Sequence, residues 1–407
     1  MYKEKYFEMA YNLAEKGRGK CSPNPFVGAV IVKDDKVIGA GFTQPYGKDH
    51  AEVQAIKDAN LYSTSQRSKE LNTNKNTKLV PNPTNGNLPT KGASIYVTLE
   101  PCAHLGKTPP CADAIIKAGI TKVYAGIKDP NPRVCGKGFA KLEEAGIEVK
   151  YGIWEDKITG QLEYYLTYII KQRPFVFMKN AVSKDGKLSI SAGVQAQITG
   201  EETRKYVHLL RSETDVILTG INTVLSDDPQ LNVRIDNTPY TSRMDDHYDV
   251  VRRGVSNPTR AILDSRLQIP IESKIVHTAK DIKTIVFVRD DLLDSQDKIA
   301  QLKSLDVEII KVSHNVSGLN LDEILLKLYE MNYYSVMVEA GSKICSSFVR
   351  AKLVDKFYRF VSPKIIGGDF SLFKELNITE MKYAMNIESE SCEKVGEDIL
   401  IVGYPAK

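Results

Sequence analysis

The chain has 407 residues, of which 42% are hydrophobic and 26% are charged, and its formal net charge is +4. At about 150 residues per domain, this length predicts two or three globular domains. The weak net charge argues against a nucleic-acid partner, and no apolar run is long enough to cross a membrane. The N-terminus lacks the features of a signal peptide, and the six cysteines are sparse and unevenly spaced. We therefore expect a cytoplasmic protein without a disulfide framework.

The first predicted domain, residues 1–153, alternates helices and strands, which indicates an α/β layered domain with largely parallel pairing. Its N-terminal helix has an apolar face formed by Tyr6, Met9, Ala10 and Leu13. The other predicted elements are a hairpin of Val27–Val32 and Val37–Phe42, helices at Ala51–Ala59, Ala112–Ala118 and Gly138–Ala145, and strands at Ala93–Leu99, Lys122–Ile127 and Glu148–Gly152. Residues 62–92 lose this periodicity and predict a polar surface insertion.

A connecting helix is predicted at Trp154–Lys171, which makes residues 154–173 a linker and residues 174–407 a second domain. The strands predicted there are Phe175–Ala181, Val216–Thr219, Thr259–Leu263, Thr284–Val288, Ser335–Val338 and Lys356–Ser362. The predicted helices lie near Glu201–Ser212, Leu321–Tyr329 and Ser342–Lys352. Residues 235–258 are predicted to form a second polar insertion. No G-x-G-x-x-G motif follows a strand, so the sequence does not indicate a Rossmann dinucleotide site.

Two short stretches carry the side chains of a catalytic zinc site, namely His50 with Glu52, and Cys102 with Cys111. One imidazole and two thiolates can hold Zn²⁺ and leave a fourth position for water. A carboxylate beside that water can take up its proton and return it to a leaving amine. In a regular helix His50 and Glu52 would point about 200° apart. We therefore expect His50 at a helix cap and Glu52 in the first turn.

Two alternatives to a catalytic metal site stay open. A structural zinc site would take a fourth protein ligand, and His104 is the candidate because it lies two residues beyond Cys102. A carboxylate beside the histidine has no use in such a closed site. The other alternative is that the residues bind no metal. The remaining cysteines have no partner at ligand spacing and are predicted to be packed thiols.

Several motifs in both halves resemble one known family. In the first half they are Ser22–Gly28, His50-Ala-Glu52, Thr98–Cys111 and Asp129–Pro132. In the second half they are Ala181–Gly186, Thr219–Arg234, Val338–Gly341 and Pro363–Gly368. In this order they resemble the bifunctional riboflavin-biosynthesis deaminase/reductase, over nearly the whole chain except the two insertions. Generic zinc deaminases have P-C-x-x-C, and the longer spacing between Cys102 and Cys111 is the form of this family.

This resemblance implies a cytidine-deaminase-like three-layer domain followed by a dihydrofolate-reductase-like domain. It implies a bifunctional enzyme of riboflavin biosynthesis, a zinc hydrolase of the cyclic amidine deaminase class joined to an NADPH-dependent oxidoreductase. The first activity would hydrolytically deaminate 2,5-diamino-6-(5-phosphoribosylamino)pyrimidin-4(3H)-one, and the second would reduce the ribosyl group to a ribityl chain. The partner would be this small pyrimidine ribotide, with neither nucleic acid nor membrane. The sequence leaves open whether the chain forms a homo-oligomer.

The resemblance also implies roles for individual residues. His50, Cys102 and Cys111 would bind one zinc ion, Glu52 would be catalytic, and Asn24 would help to hold the pyrimidine ring. The cofactor NADPH would be bound by Ala181, Ser183, Gln197, Thr223, Asp227, Gly341, Ser342, Lys343, Ile344, Cys345, Ser346 and Ser347. The phosphoribosyl substrate of the reductase would be bound by Gln195, Arg211, Leu231, Arg234 and Glu339. Lys184 and Gln197 depart from the family, which usually has Leu and Trp at these positions.

Two other classes of function compete with this interpretation. A nucleic-acid editing deaminase, such as a tRNA adenosine deaminase, could use the basic residues of the insertion, which are Arg67, Lys69, Lys75, Lys78 and Lys91. That insertion has only one aromatic residue, Tyr62, for base stacking, and RNA editing leaves the second half unexplained. A zinc-stabilised binding module without catalysis would predict that Glu52→Gln has no effect.

Overall fold

The computed structural model of the chain describes residues 2–72, 88–191, 197–235, 256–292 and 295–406. The chain divides into two compact units, Met1–Lys171 and Gln172–Lys407. The division falls within the predicted linker, residues 154–173. Among the described residues, no helix is both long and apolar enough to cross a membrane.

Unit 1 alternates helices with strands, as the sequence predicts. Its helices are α1 (Glu4–Glu15), α2 (Ala51–Asn72), α3 (Cys111–Lys117), α4 (Lys137–Glu144), α5 (Glu155–Gln161) and α6 (Glu163–Lys171). Its strands are β1 (Gly28–Lys33), β2 (Lys36–Phe42), β3 (Ser94–Leu99), β4 (Lys122–Ile127) and β5 (Glu148–Lys150). Over the described part of the unit they form one sheet in the order β2-β1-β3-β4-β5. The predicted hairpin of β1 and β2 is confirmed, and β3, β4 and β5 are parallel.

Helix α1 packs so closely on β1 that its buried face differs from the predicted one. A Cβ atom on Gly28 would lie 1.9 Å from the carbonyl oxygen of Ala10. The helix therefore turns small residues towards the sheet, and it buries Tyr6, Phe7, Ala10 and Ala14. Met9, which was predicted to be buried, is 41% exposed. The apolar pattern located the helix but did not account for this close approach of the two backbones.

Two other helices of unit 1 differ from their predicted extents. Helix α2 runs to Asn72, so the prediction of an irregular insertion is wrong for residues 62–72. Leu61–Asn72 contains neither Pro nor Gly, so nothing in the sequence breaks the helix where its apolar period is lost. Residues 73–87 of the predicted insertion lie outside the described residues. The single helix predicted at Trp154–Lys171 is divided at Leu162 into α5 and α6.

Unit 2 contains all the strands and helices predicted for it and several more. Its strands are β6 (Phe175–Ser183), β7 (Val216–Gly220), β8 (Thr259–Leu263), β9 (Thr284–Arg289), β10 (Val307–Val312), β11 (His314–Asn315), β12 (Gly318–Leu319), β13 (Ser335–Val338), β14 (Lys356–Ser362), β15 (Ile387–Val395) and β16 (Asp398–Pro405). Its helices are α7 (Glu201–Ser212), α8 (Ile221–Asp227), α9 (Lys274–His277), α10 (Gln296–Ser304), α11 (Leu321–Glu330) and α12 (Ser342–Arg350). The elements that the sequence did not predict are α8, α9, α10, β10, β11, β12, β15 and β16. Residues 236–255 of the second predicted insertion lie outside the described residues.

The main sheet of unit 2 is parallel over most of its width. Where the structure describes it, the strand order is β10-β9-β8-β7-β13-β6-β14-β16-β15, and only β15 and β16 run antiparallel to their neighbours. Val216 and Leu218 pack in one core cluster and Ile217 in another, so the two cores cover opposite faces of the sheet. Helices α11 and α12 cover the first face, and α8, α9 and α10 cover the second. This three-layer α/β arrangement places the loops after the parallel strands along one edge of the sheet.

The packing of α1 on β1 predicts that Gly28→Ala destabilises unit 1. The added methyl group would meet backbone atoms of Ala10 and Ala14, which cannot move independently of the helix. We expect the free energy of unfolding to fall by about 1–3 kcal/mol. Trp154 is the only tryptophan and its ring packs 5.7 Å from the Phe7 ring, so its fluorescence reports on this contact during urea unfolding.

Gly160→Ala is the matched control, because a Cβ atom at Gly160 in α5 meets nothing within 4 Å. We expect the control variant to be as stable as the wild type, or more stable by up to about 1 kcal/mol. Equal stabilities of Gly28→Ala and the wild type would show that α1 can move away from the sheet without cost.

Candidate active sites

The three predicted metal ligands of unit 1 converge although they come from separate segments. His50 caps α2, with its carbonyl oxygen accepting the Gln54 N–H at 3.0 Å, Cys102 lies in the loop after β3, and Cys111 opens α3. His50 Nδ1 lies 3.7 Å from Cys102 Sγ and 3.3 Å from Cys111 Sγ. The three ligand atoms all lie within 4.8 Å of one another. One nitrogen and two sulfur donors at such distances suit a zinc ion.

The two thiols of this cluster differ in acidity because they share a hydrogen bond. The hydrogen bond that the Cys111 thiol donates lowers the pKa of Cys102, although burial raises it. A hydrogen bond from His50 lowers the pKa further. The Cys111 backbone N–H also donates to Cys102 Sγ, at 3.3 Å. The pKa of Cys111 is raised by its hydrogen bond to Cys102 and by burial. The two thiols therefore influence each other's ionisation, and both sulfur atoms are donors that a metal can bind as thiolates.

Glu52 lies in the first turn of α2, where the sequence predicts it, and its side chain is buried with only 4% of the residue exposed. Burial raises the pKa of its carboxyl group to about 7, although the charge of His50 lowers it in part. A carboxyl group with this pKa can accept and release a proton near neutral pH. Its place beside the thiol of Cys111 puts it next to the ligand cluster.

His104 is not part of the ligand cluster. Within the described parts of the chain, the group of ligand atoms contains His50, Cys102 and Cys111 and no fourth residue. The Nδ1 atom of His104 is buried and has no hydrogen-bond partner among the described residues. A set of three protein ligands leaves a coordination position for water, which is the pattern of catalytic and not of structural zinc sites.

Glu100 holds the loop of the cysteine ligands in place, and the sequence analysis did not identify it. Its carboxylate is buried, with 3% of the residue exposed, and accepts backbone N–H groups from Asp129 at 3.1 Å and from Gly136 and Gly138 at 2.9 Å. These bonds tie the loop that follows β4 to the loop that follows β3. A charged residue directly after a buried strand and two residues before Cys102 is the signal that could have indicated this role.

Asp129 opens the Asp-Pro-Asn-Pro motif and is buried beside the same loop. Tyr165 of α6 donates its hydroxyl to the two carboxylate oxygens at 2.9 and 3.0 Å, and the Asn131 N–H donates at 2.9 Å. Burial raises the pKa of Asp129 to about 6, against the effect of these hydrogen bonds. Helix α6, which was predicted to be a linker, therefore supports the motif loop of unit 1.

Asn24, predicted to hold the pyrimidine ring, lies partly buried in the turn between α1 and β1. Its backbone N–H donates to the carbonyl oxygen of Cys21 at 2.8 Å. In the same turn, the peptide bond between Ser22 and Pro23 is cis. These features define the backbone of the turn, and the contact of the Asn24 side chain with a substrate stays a prediction.

Unit 2 has a cavity of about 1620 Å³ at the edge of the sheet where the parallel strands end. Its walls include residues that follow β7, β8 and β13, such as Thr223, Ser265 and Gly341. In open α/β sheets, ligands bind at the carboxyl ends of the strands, and the start of a helix offers free backbone N–H groups to phosphates. Gly341 provides such a start, since it precedes α12 with extended backbone angles.

Most residues predicted to bind the cofactor line this cavity. They are Ala181, Gln197, Thr223, Asp227, Gly341, Ser342, Lys343, Ile344 and Ser347. Glu339, predicted to bind substrate, lines it too. The structure thus brings together residues from segments that are far apart in the sequence, and their individual contacts with a ligand stay predictions. Gln195 lies outside the described residues.

Three predicted cofactor residues are turned away from the cavity. Ser183 is buried, and its hydroxyl donates to Asp185 Oδ1 at 2.6 Å. Cys345 and Ser346 lie on the inner face of α12 and are fully buried. Successive residues of a helix point about 100° apart, so a continuous stretch such as residues 341–347 cannot direct all its side chains to one cavity. A side-chain contact with cofactor is not supported at these three positions.

Glu339 lies directly after β13 and forms ion pairs with two cations. Arg211 Nη2 lies 2.9 Å from its Oε1, Arg211 Nε lies 3.1 Å from its Oε2, and Lys179 Nζ lies 2.8 Å from its Oε1. Burial would raise the pKa of Glu339, but Arg211 and Lys179 outweigh it and hold the pKa well below its usual range. Lys179 also lines the cavity, and a lysine within the apolar strand β6 is the signal by which sequence analysis could have found it.

The other residues predicted to bind the ribotide lie near this ion pair or in the core. Arg211 also donates to the carbonyl oxygen of Asn232 at 3.1 Å, and the Arg234 backbone N–H donates to His208 Nδ1 at 3.2 Å. Burial, followed by the charges of Arg211 and Arg234, lowers the pKa of His208 to about 4. Leu231 is 4% exposed and packs in a core cluster, and it is not among the described residues that line the cavity.

Comparison with known proteins assigns a family to each unit. Residues 1–127 match the model of the cytidine and deoxycytidylate deaminase zinc-binding region, and residues 174–401 match that of the RibD C-terminal domain. The riboflavin biosynthesis protein RibD of Aquifex aeolicus is 36% identical over 396 residues, which cover 97% of this chain and 96% of that protein.

Solved structures of related proteins match the structure of this chain over nearly its whole length. The structure of Acinetobacter baumannii RibD is 32% identical, with a TM-score of 0.81, and the match covers 99% of this chain and 98% of that one. A diaminohydroxyphosphoribosylaminopyrimidine deaminase/5-amino-6-(5-phosphoribosylamino)uracil reductase from Thermotoga maritima is also 32% identical, with a TM-score of 0.78 and the same coverage. The predicted succession of a deaminase domain and a reductase domain is confirmed. The chain therefore belongs to the RibD family of bifunctional riboflavin-biosynthesis enzymes, which combine a deaminase with a reductase.

Proposed function

We propose that unit 1 deaminates 2,5-diamino-6-(5-phosphoribosylamino)pyrimidin-4(3H)-one with one zinc ion, and that unit 2 reduces the ribosyl group of the product with NADPH. The observation that carries this proposal is the cluster of three metal ligands beside the buried carboxyl group of Glu52. A site with three ligands and an adjacent proton acceptor suits hydrolysis at a ring carbon.

The deaminase chemistry follows from the places of these residues. Hydrolysis forms a bond between a water oxygen and the ring carbon, breaks the bond from that carbon to its amino group, and releases ammonia. Zinc at this site would lower the pKa of the water. His50, Cys102 and Cys111 would hold the ion, and Glu52 would accept the proton at a carboxylate oxygen and deliver it to the leaving nitrogen. The pKa of Glu52, about 7, suits both transfers.

The proposed reductase reaction requires unit 2 to bind and position ligands and does not require a reactive side chain. NADPH would supply a hydride, so the protein has to position cofactor and ribotide and to bind their phosphates. Lys179 and Glu339 line the cavity, and the start of α12 opens into it. Arg211 and Lys179 both contact Glu339, which fixes the ammonium group of Lys179 at the cavity wall. Two cations contact the single carboxylate of Glu339, and the net positive charge of this group favours an anionic substrate.

A structural zinc site needs a fourth protein ligand, whereas a catalytic one does not. We expect His104→Ala to retain the zinc content of the wild type, because His104 lies outside the ligand cluster, whereas Cys111→Ala loses the metal. Elemental analysis of the purified proteins measures both. Loss of zinc from His104→Ala as well would identify a fourth ligand and a closed, structural site.

Glu52→Gln removes the proton carrier and keeps the volume of the side chain. We expect ammonia release from the diaminopyrimidinone ribotide to fall by about 10²–10⁴-fold, with zinc content unchanged. Consumption of NADPH on the deaminated product should equal that of the wild type. A variant that still released ammonia at the wild-type rate would support a binding module in which Glu52 has no catalytic role.

Glu339→Gln removes the negative charge that Arg211 and Lys179 contact. We expect the free energy of unfolding at pH 7 to fall by about 3 kcal/mol, with deamination retained. Because the pKa of Glu339 is lowered on folding, its contribution to stability is complete above the ordinary glutamate pKa of about 4.3 and is lost as the pH falls below it. The difference from the wild type should therefore shrink on acidification.

Urea unfolding of the full chain at several pH values, followed by circular dichroism, measures this difference. Trp154 fluorescence provides the control, because the only tryptophan lies in unit 1 and should report the same unfolding in both proteins. A stability difference that stays constant between about pH 5 and about pH 2.5 would contradict the ion-pair explanation.

A further inference from the structure

Two motifs of unit 2 that the proposed function leaves unexplained are hydrogen-bonded to each other. Ser183–Gly186 forms the turn at the end of β6, and residues 363–371, here named the clamp loop, follow β14. The carboxylate of Asp185 accepts the Ser183 hydroxyl at 2.6 Å and the backbone N–H groups of Ile366 and Gly367 at 3.1 and 2.7 Å. These hydrogen bonds, with that from Ser183 first, lower the pKa of Asp185 to about 2. The carboxylate is therefore a charged acceptor that three donors surround.

The backbone of the clamp loop is shaped for this contact. Gly367 and Gly368 have φ angles of 74° and 73°, in the left-handed region that disfavours other residues. This conformation lets the N–H group of Gly367 point at Asp185. In the opposite direction, the Lys184 N–H donates to the Lys364 carbonyl oxygen at 2.7 Å. The turn and the loop thus exchange hydrogen bonds both ways.

The clamp loop also forms hydrogen bonds with residues that border the cavity. Lys364 Nζ donates to the carbonyl oxygens of Ile198 at 2.8 Å and of Gln197 at 3.3 Å. The Leu188 N–H donates to the Phe370 carbonyl oxygen at 3.0 Å. The clamp loop is therefore hydrogen-bonded to Leu188 and, further along the chain, to Gln197 and Ile198.

The residues that the clamp loop holds form part of the cavity wall. They are Leu188, Gln197 and Ile198, and Phe370 of the loop itself lines the cavity with them. We propose that Asp185 and Lys364 are positioning residues that, through the clamp loop, set the cavity wall against which the NADPH cofactor of the reductase packs. This inference rests on the proposed function of unit 2 and adds the part of the chain that shapes the cofactor site.

The contacts of Lys364 favour a positioning role over general stabilisation. The residue is exposed, and its ammonium group binds two backbone carbonyl oxygens. Such hydrogen bonds to a charged donor are among the stronger ones, but the donor is an exposed side chain, and neither Lys364 nor the buried Ile198 belongs to the two core clusters that cover the sheet. Their loss should therefore displace Gln197 and Ile198 without unfolding the sheet.

The test compares cofactor binding by Lys364→Met with that of the wild-type full chain. We expect the KM and the Kd for NADPH to rise about five- to tenfold, with kcat within about twofold of wild type. Lys364→Arg, which keeps a charged donor, should restore most of the affinity. Asp185→Asn should shift the KM in the same direction, because it removes the charge that the two loop N–H groups contact.

Lys184→Met is the matched control, since it removes one positive charge from the same turn. Among the contacts of the described residues, Lys184 has only the hydrogen bond of its backbone N–H, and its side chain has neither a hydrogen bond nor an ion pair. We expect it to bind NADPH like the wild type, and all variants to keep the deaminase rate and zinc content of unit 1. NADPH affinity of Lys364→Met within twofold of the wild type, or an equal loss in Lys184→Met, would overturn the proposal. A wild type that oxidises no NADPH on the deaminated ribotide would instead overturn the proposed reductase function.

Discussion

In each unit a carboxylate that directly follows a parallel strand lies beside the predicted site, and the compensation of its charge organises the loops around it. Glu100 follows β3, and Glu339 follows β13. An uncompensated carboxylate in such a place would be too costly to keep ionised. Unit 1 compensates Glu100 with backbone N–H groups, which draws the loop after β4 against the loop of the cysteine ligands. Unit 2 compensates Glu339 with Lys179 and Arg211, which concentrates cations beside the cavity.

Glu52 and Glu339 are both glutamates, but the two side chains have different roles. Both carboxyl groups are largely withdrawn from water, which by itself raises the pKa. Burial raises the pKa of Glu52 to about 7, because the charge of His50 offsets it only in part, so Glu52 can carry a proton. Glu339 stays an anion because two cations contact it, so it orients its neighbours and does not exchange protons. The neighbours of each carboxyl group therefore decide whether it takes part in proton transfer or in positioning.

The sequence predicted the parts of the structure that depend on local pattern. Apolar β-branched runs located strands such as β4, and the residue types at positions 50, 52, 102 and 111 indicated the metal cluster before any fold was known. The edge strand β15 was missed because its sequence, with Glu at 388, 390 and 393, has no continuous apolar face. The neighbouring β16 was not predicted either, although its apolar run from Ile399 to Val402 is a signal that could have indicated a strand.

What the sequence could not supply was the direction of side chains and the partners of buried charges. Ser183, Cys345 and Ser346 belong to motifs that border the cavity, but only the structure shows that they face inward. Glu100 and Lys179 act through groups far away in the sequence, so no local pattern reveals their contacts. The buried face of α1 was misplaced for a similar reason, because it depends on how closely Gly28 lets the helix approach.

The two departures from the family in unit 2 fall at positions where the described contacts are made by the backbone. Lys184 stands where the family usually has Leu, and it bonds to the clamp loop through its N–H group. Gln197 stands where the family usually has Trp, and it meets Lys364 through its carbonyl oxygen. A side-chain exchange at either position leaves these hydrogen bonds in place, because every residue except proline offers the same two backbone groups. The frame of the cavity can therefore stay constant while the side chain at position 197, a residue that lines the cavity, changes.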